Sequence, residues 1–111
     1  MSILEANVID VIGVDPEKGI ARLGISDHLE WGVGEVEHLN LLQDKINSYL
    51  RFLESGEIYD HYPDARHCRC EIELIAKYPL PKNAIDFVSK AKKIIADAGF
   101  DLSYKIVGRG N

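Results

Sequence analysis

The stretch of this chain that most limits its possible folds is residues 68–77, CRCEIELIAK. Cys68, Cys70, Ile72, Leu74 and Ala76 alternate with Arg69, Glu71, Glu73, Ile75 and Lys77. Successive side chains of a strand point to opposite faces, so the pattern describes a strand with one apolar and one charged face. Residues 100–107 repeat it, with Phe100, Leu102, Tyr104 and Ile106 expected inward and Asp101, Ser103 and Lys105 outward. A sheet made from such strands keeps one face wet, and helices can cover only the other. A doubly covered parallel sheet is thereby excluded, and a two-layer α+β sandwich remains.

The other elements fit that frame. Asn7 to Asp15 and Ile20 to Ser26 are β-branched-rich strands, and Asp15-Pro16-Glu17-Lys18-Gly19 between them is a turn. Pro16 pre-sets φ, and Gly19 supplies a positive φ. From Glu35 to Ser55 the apolar residues Val36, Leu39, Leu42, Ile46, Tyr49, Leu50 and Leu53 recur at helical spacing, with Glu37, Asn40, Asp44, Asn47, Ser48, Arg51 and Glu54 opposite. Gly56 is the expected left-handed stop. A second helix spans Lys82 to Ala98, with Ala84, Phe87, Val88, Ala91, Ile94, Ile95 and Ala98 inward and Gly99 ending it. Asp27 to Gly34 and Glu57 to His67 read as loops. The order is ββαβαβ: a four-stranded mixed sheet with two helices on one face and right-handed crossovers. The pattern leaves the strand order open. With 111 residues the chain is expected to be a single domain, 1–111, with an ordered core over about 7–107 and a frayed tail at 108–111.

Composition sets limits on function. No apolar run approaches the roughly 18 residues of a membrane span, and the N-terminus shows no signal-peptide pattern. Cys68 and Cys70, two apart on a strand, would lie about 6.5–7 Å from each other, at or beyond the usual disulfide limit, which suits a reduced, cytoplasmic setting. The net charge is −5, unevenly placed: residues 1–64 carry 13 acidic and 4 basic residues, residues 65–111 carry 5 and 9. That balance argues against nucleic acid and suits a basic protein partner.

Four groups of residues invite a chemical reading. In Asp27-His28-Leu29-Glu30-Trp31, with His38 nearby, an acid beside a histidine can orient an imidazole for base chemistry. No serine or cysteine nucleophile is tied to this segment by spacing, so no catalytic residue is assigned. The plainer reading makes Asp27 a turn cap and Trp31 a lid on the core. Gly32-Val33-Gly34 precedes a helix, but Glu35 and Glu37 already occupy its positive end and would repel phosphate. His61, His67, Cys68 and Cys70 have the right types for zinc, but the C-x-C spacing is wrong; no metal or cofactor is expected, and the cysteines suit core positions. The loop residues Tyr59, His61 and Tyr62, flanked by Asp60 and Asp64, form an aromatic, acidic surface that suits an interface. The candidate binding residues are therefore Asp27, His28, Trp31, His38, Tyr59, His61 and Tyr62.

The runs ISDHLEW (25–31), EHLNLLQDKINSYLRFLESGEIY (37–59) and AKYPLP (76–81) resemble a family of small bacterial proteins known only as a domain of unknown function. The resemblance covers roughly Val8 to Leu102. It implies a bacterial, cytoplasmic, single-domain protein and no particular activity; the Cys68/Cys70 pair is no part of it. Three functional expectations follow from the residues themselves. One is a non-enzymatic protein-interaction module, for instance an immunity- or antitoxin-like inhibitor of a basic partner. The alternative is a small-ligand or hydrolytic site at Asp27, His28 and Trp31, completed by His38 and Tyr59. A third is a homodimeric accessory protein without ligand.

Overall fold

The sheet is laid down in sequence order. In the computed structural model, which describes residues 3–32 and 34–107, the strands are β1 (Val11–Asp15), β2 (Ile20–Asp27), β3 (Arg69–Ala76) and β4 (Asp101–Ile106), adjacent in the order β1-β2-β3-β4. β1 and β2 form the antiparallel hairpin, with Val11 opposite Gly24 and Asp15 opposite Ile20. β2 and β3 pair in parallel from Ile20–Arg69 to Asp27–Ala76, and β3 and β4 from Glu71–Asp101 to Ala76–Ile106. Parallel neighbours need a crossover, supplied by α1 (Glu35–Glu54) between β2 and β3 and by α3 (Lys82–Asp97) between β3 and β4. The expected mixed four-stranded sheet with one helical layer is thus present.

The segment 57–67 is more ordered than a loop. Gly56 turns at φ 81°, and the chain re-enters a short helix, α2 (Glu57–His61), followed by a 3-10 turn over Pro63–His67. Ile58 and Ala65, both fully buried, anchor the two pieces to the core. The composition of this segment is polar enough to read as loop, and two apolar anchors suffice to order it.

The core lies between the helices and one sheet face: Ala21, Leu23 and Ile25 of β2, Cys70, Ile72, Leu74 and Ala76 of β3 and Leu102 of β4 meet Leu42, Ile46, Tyr49 and Leu53 of α1 and Ala84, Val88 and Ile95 of α3. The other face is wet and charged, with Arg22 bonded to Glu71 at 3.1 Å, Arg69 near Asp101 at 3.4 Å and Lys105 near Glu73 at 3.8 Å. Such exposed pairs contribute little to stability. Four expected core residues are exposed instead. Val36 is 72% exposed and Ile94 63%, each on the outer side of its helix. Tyr104 and Ile106 do lie on the helix side of the sheet, but on an edge strand that α3 covers only near Leu102.

The N-terminal segment does more than lead into β1. Ile3 is fully buried, so the core begins earlier than residue 7. The β1–β2 ladder stops at Val11–Gly24. Beyond it, both backbone groups of Ser26 are satisfied without a strand: its N–H donates to Asp10 Oδ2 at 2.9 Å, and its carbonyl accepts from the Ile3 N–H at 2.9 Å. Residues 3–10 thus act as a strap along the rest of β2. No helix among the described residues is long and apolar enough to cross a membrane. The expected frayed tail, 108–111, lies outside the described residues.

Candidate functional site

The polar residue that closes β2 is also the hub of the first candidate site. Asp27 is the last residue of β2; its carbonyl accepts from the Lys77 N–H at 2.9 Å, which fixes its backbone against the end of β3. Its carboxylate points into the protein, where Oδ1 accepts from the Leu29 N–H at 3.1 Å and starts the turn out of the strand. His38 arrives from the first turns of α1 and sets Nε2 2.8 Å from Oδ1 and 2.7 Å from Oδ2. An ionised carboxylate only accepts, so Nε2 carries the proton. Trp31 closes the group: its ring stacks on the His38 ring with centroids 3.5 Å apart and planes inclined by 14°. Asp27 and His38 are only 2% and 3% exposed, and Trp31 is buried with them.

His28 is not part of this cluster: it is exposed, and the partner of Asp27 is the histidine eleven residues on rather than the adjacent one. Adjacent residues at a strand end diverge, whereas the helix following the loop returns one side chain to it. Tyr59 and Tyr62 sit beyond the far end of α1, a helix about 30 Å long at 1.5 Å per residue, so they do not complete the site at Asp27. Tyr59 is half-buried under the Arg66 guanidinium, 5.0 Å from the ring centre. Tyr62 is 39% exposed, and His61 lies open beside Glu57 at 3.8 Å. The candidate residues therefore separate into a sealed cluster at the start of α1 and an open corner around α2.

The chemistry open to the sealed cluster is narrow. Nε2 is committed to both carboxylate oxygens. His38 Nδ1 and Trp31 Nε1 are buried and have no hydrogen-bond partner among the described residues. No hydroxyl or thiol is placed against the imidazole by any hydrogen bond of the described residues, so an acid–base pair exists without a nucleophile beside it. Cys70 lies in the core, where burial first and the neighbouring Cys68 second push its thiol pKa up; that disfavours the thiolate needed for metal binding or redox work. Cys68 donates its thiol to the Asp64 carbonyl at 3.4 Å. The glycines before α1 flank Val33, which lies outside the described residues; Glu35 at the helix start instead accepts from Asn83 of α3 at 2.9 Å, tying the two helices together.

Two features escaped the sequence reading. Lys45, on the inward side of α1, is completely buried and donates to the carbonyls of Glu5 and Val8 at 2.5 and 2.6 Å and to Asp10 Oδ1 at 2.9 Å. Tyr49, one turn on, donates to the Gly24 carbonyl at 2.6 Å and accepts from the Asp10 N–H at 2.8 Å. The spacing of His38, Lys45 and Tyr49 with Leu42 and Leu53 carried the signal, and the polar character of the first two concealed it. The second feature is a depression of about 420 Å³ on the wet sheet face, lined by Val11, Lys18, Arg22 and Ile75 over Gly13 and Gly24. Strand glycines are its only trace in the sequence; a Cβ on Gly24 would meet Ile75 Cδ1 at 3.0 Å.

A family model matches residues 1–108, spanning both the sealed cluster and the open corner. The chain belongs to the family of unknown function DUF6572. No curated protein and no solved structure is significantly similar to it. For this DUF6572 member the chemistry of its own surface is therefore the ground on which a function is argued.

Proposed function

We propose that this protein is a non-enzymatic interaction module whose contact surface is the corner formed by the end of α1, α2 and the 3-10 turn. The observation that carries this reading is the division of the candidate residues: the hydrogen-bonded Asp27–His38 pair is sealed in the core, while the corner exposes charge and aromatic surface. Glu54, Glu57, Asp60 and Asp64 are all exposed there, beside the exposed Tyr62. Among the described residues none of the four pairs with a lysine or arginine, and only Glu57 has a weak histidine neighbour. An uncompensated acidic surface around an aromatic anchor suits a basic protein, steering its approach and excluding acidic competitors. The specific form we favour is a stoichiometric inhibitor that covers the basic surface of its target.

The test pairs the full chain with a variant in which Glu54, Glu57, Asp60 and Asp64 are all changed to lysine. Both are tagged and used to capture partners at low and moderate salt from the lysate of the source organism. One stoichiometric basic protein, held by the parent chain, weakened by salt and missing from the variant, is the expected result. Equal recovery by both chains would remove the corner from consideration. An enzyme activity of the captured protein that falls on adding this chain would establish the inhibitor form.

A further inference from the structure

The two edges of the sheet are unequal. The β1 edge belongs to a five-residue strand, and the strap of residues 3–10 takes over where that strand ends. The β4 edge is six residues long, and among the described residues no strand pairs with its outer side. An unpaired edge is a template for another strand.

The direction of the backbone groups on β4 follows from one hydrogen bond. The Val107 N–H donates to the Ala76 carbonyl at 2.9 Å, so Val107 faces β3. Alternation then turns Asp101, Ser103 and Lys105 toward β3 and leaves the N–H and C=O groups of Leu102, Tyr104 and Ile106 facing the open edge. The side chains on the helix side of this strand are the apolar ones. Leu102 is covered by α3, but Tyr104 is 41% and Ile106 40% exposed.

We infer that β4 pairs antiparallel with β4 of a second copy, about a two-fold axis through Ser103, to join the two sheets into one. The residues from Phe100 to Ile106 read FDLSYKI, which is self-complementary about its centre. In this register Phe100 faces the partner's Ile106, Asp101 the partner's Lys105 and Leu102 the partner's Tyr104, with each contact repeated by symmetry. Each Leu102–Tyr104 pair exchanges two backbone hydrogen bonds, because both residues aim their groups at the open edge. On the wet face Asp101 already neighbours Arg69, and Lys105 already neighbours Glu73. The contact therefore extends these into a row of alternating sign, Arg69–Asp101 followed by the partner's Lys105–Glu73. A slip of one residue opposes groups that do not face each other. A slip of two sets Asp101 against Val107 and loses both charge pairs. A two-fold contact of this kind is closed, so association stops at two copies. It uses a surface separate from the acidic corner, and either can hold without the other.

The experiment is sedimentation equilibrium of the full chain over a concentration series, with circular dichroism of every variant. The parent chain should approach twice its monomer mass. Tyr104→Pro removes a donor that faces the partner and none that serves β3, so it should give a folded monomer. Asp101→Lys and Lys105→Asp, each placing like charges opposite one another at two symmetric points, should each raise the dimer Kd about tenfold. Combining them restores opposite charges across the contact, although each reversed residue then meets a like charge on β3 at Arg69 or Glu73, and should recover part of the lost association. A parent chain that stays monomeric throughout, a dimer that persists in folded Tyr104→Pro, or a double variant no better than the singles would each overturn the inference. The charge pair keeps the test decisive should the proline variant fail to fold.

Discussion

Two buried polar clusters flank α1, and they are built to different standards. At Lys45 the ammonium uses its three donors on three oxygens, Asp10 divides its carboxylate between Lys45 and the Ser26 N–H, and the Tyr49 hydroxyl both donates and accepts. At His38 the carboxylate of Asp27 is fully engaged, yet His38 Nδ1 and Trp31 Nε1 are buried without partners. A saturated buried network rigidifies what it joins, whereas a partly satisfied one carries an uncompensated desolvation cost. The first cluster therefore holds the molecule together, tying the strap, β2 and the middle of α1. The second fixes where α1 begins, through packing and one strong pair, and has groups to spare.

The sharpest way to break this contrast is Lys45→Met. It leaves Asp10 buried and uncompensated, and the expected loss is about 3–5 kcal/mol, a large share of the ~5–15 kcal/mol of a whole domain; urea unfolding measures it. Adding Asp10→Leu should return much of the loss, because the unpaired charge is then gone as well. Tyr49→Phe should cost about 1–3 kcal/mol, since it strands the Asp10 N–H and the Gly24 carbonyl. The same residue predicts a pH dependence. Burial pushes the Tyr49 phenol above its ordinary value of 10, so the folded protein favours the neutral form. Its contribution is complete below that value and is lost as pH rises beyond it. Thermal melts from pH 8 to 11 should show an alkaline fall in the parent chain that is smaller in Tyr49→Phe. Trp31→Phe is the matched change in the other cluster: it deletes a donor that has no partner and keeps a ring on His38. It should stay within about 1 kcal/mol of the parent, lost volume set against relieved desolvation. A Trp31→Phe cost equal to that of Tyr49→Phe would erase the distinction.

The residues that define the sheet were legible because strand alternation is strict and one face is charged: Cys70, Ile72, Leu74 and Ala76 are all buried as their spacing requires. The inner face of α1 was legible only in part. His38, Leu42, Lys45, Tyr49 and Leu53 follow one another at steps of three and four, which is a single helical face, while Val36 lies nearly opposite His38. Polarity kept the histidine and lysine out of the apolar stripe and put the valine in it. That inference fails wherever a buried charge has its acceptors supplied from a distant segment, here 35 residues away at Asp10. The pairing of Asp27 with His38 rather than His28 was hidden for the same reason, since it depends on the loop between them bringing α1 back across the strand end. Tyr104 and Ile106 carried the right pattern, but how far α3 shields an edge strand depends on strand order, which periodicity does not contain.

The order of the strands also sets a timetable. Each residue of β2 finds its β3 neighbour 49 positions later in the chain. During synthesis at roughly 5–20 residues per second, about 2–10 s separate the emergence of the two. The residues of the hairpin and α1 are therefore made before the strand that covers their apolar positions, and the ammonium of Lys45 must find its oxygens in a strap made long before it. The newborn chain thus holds its oldest apolar residues without their β3 partners for the longest time.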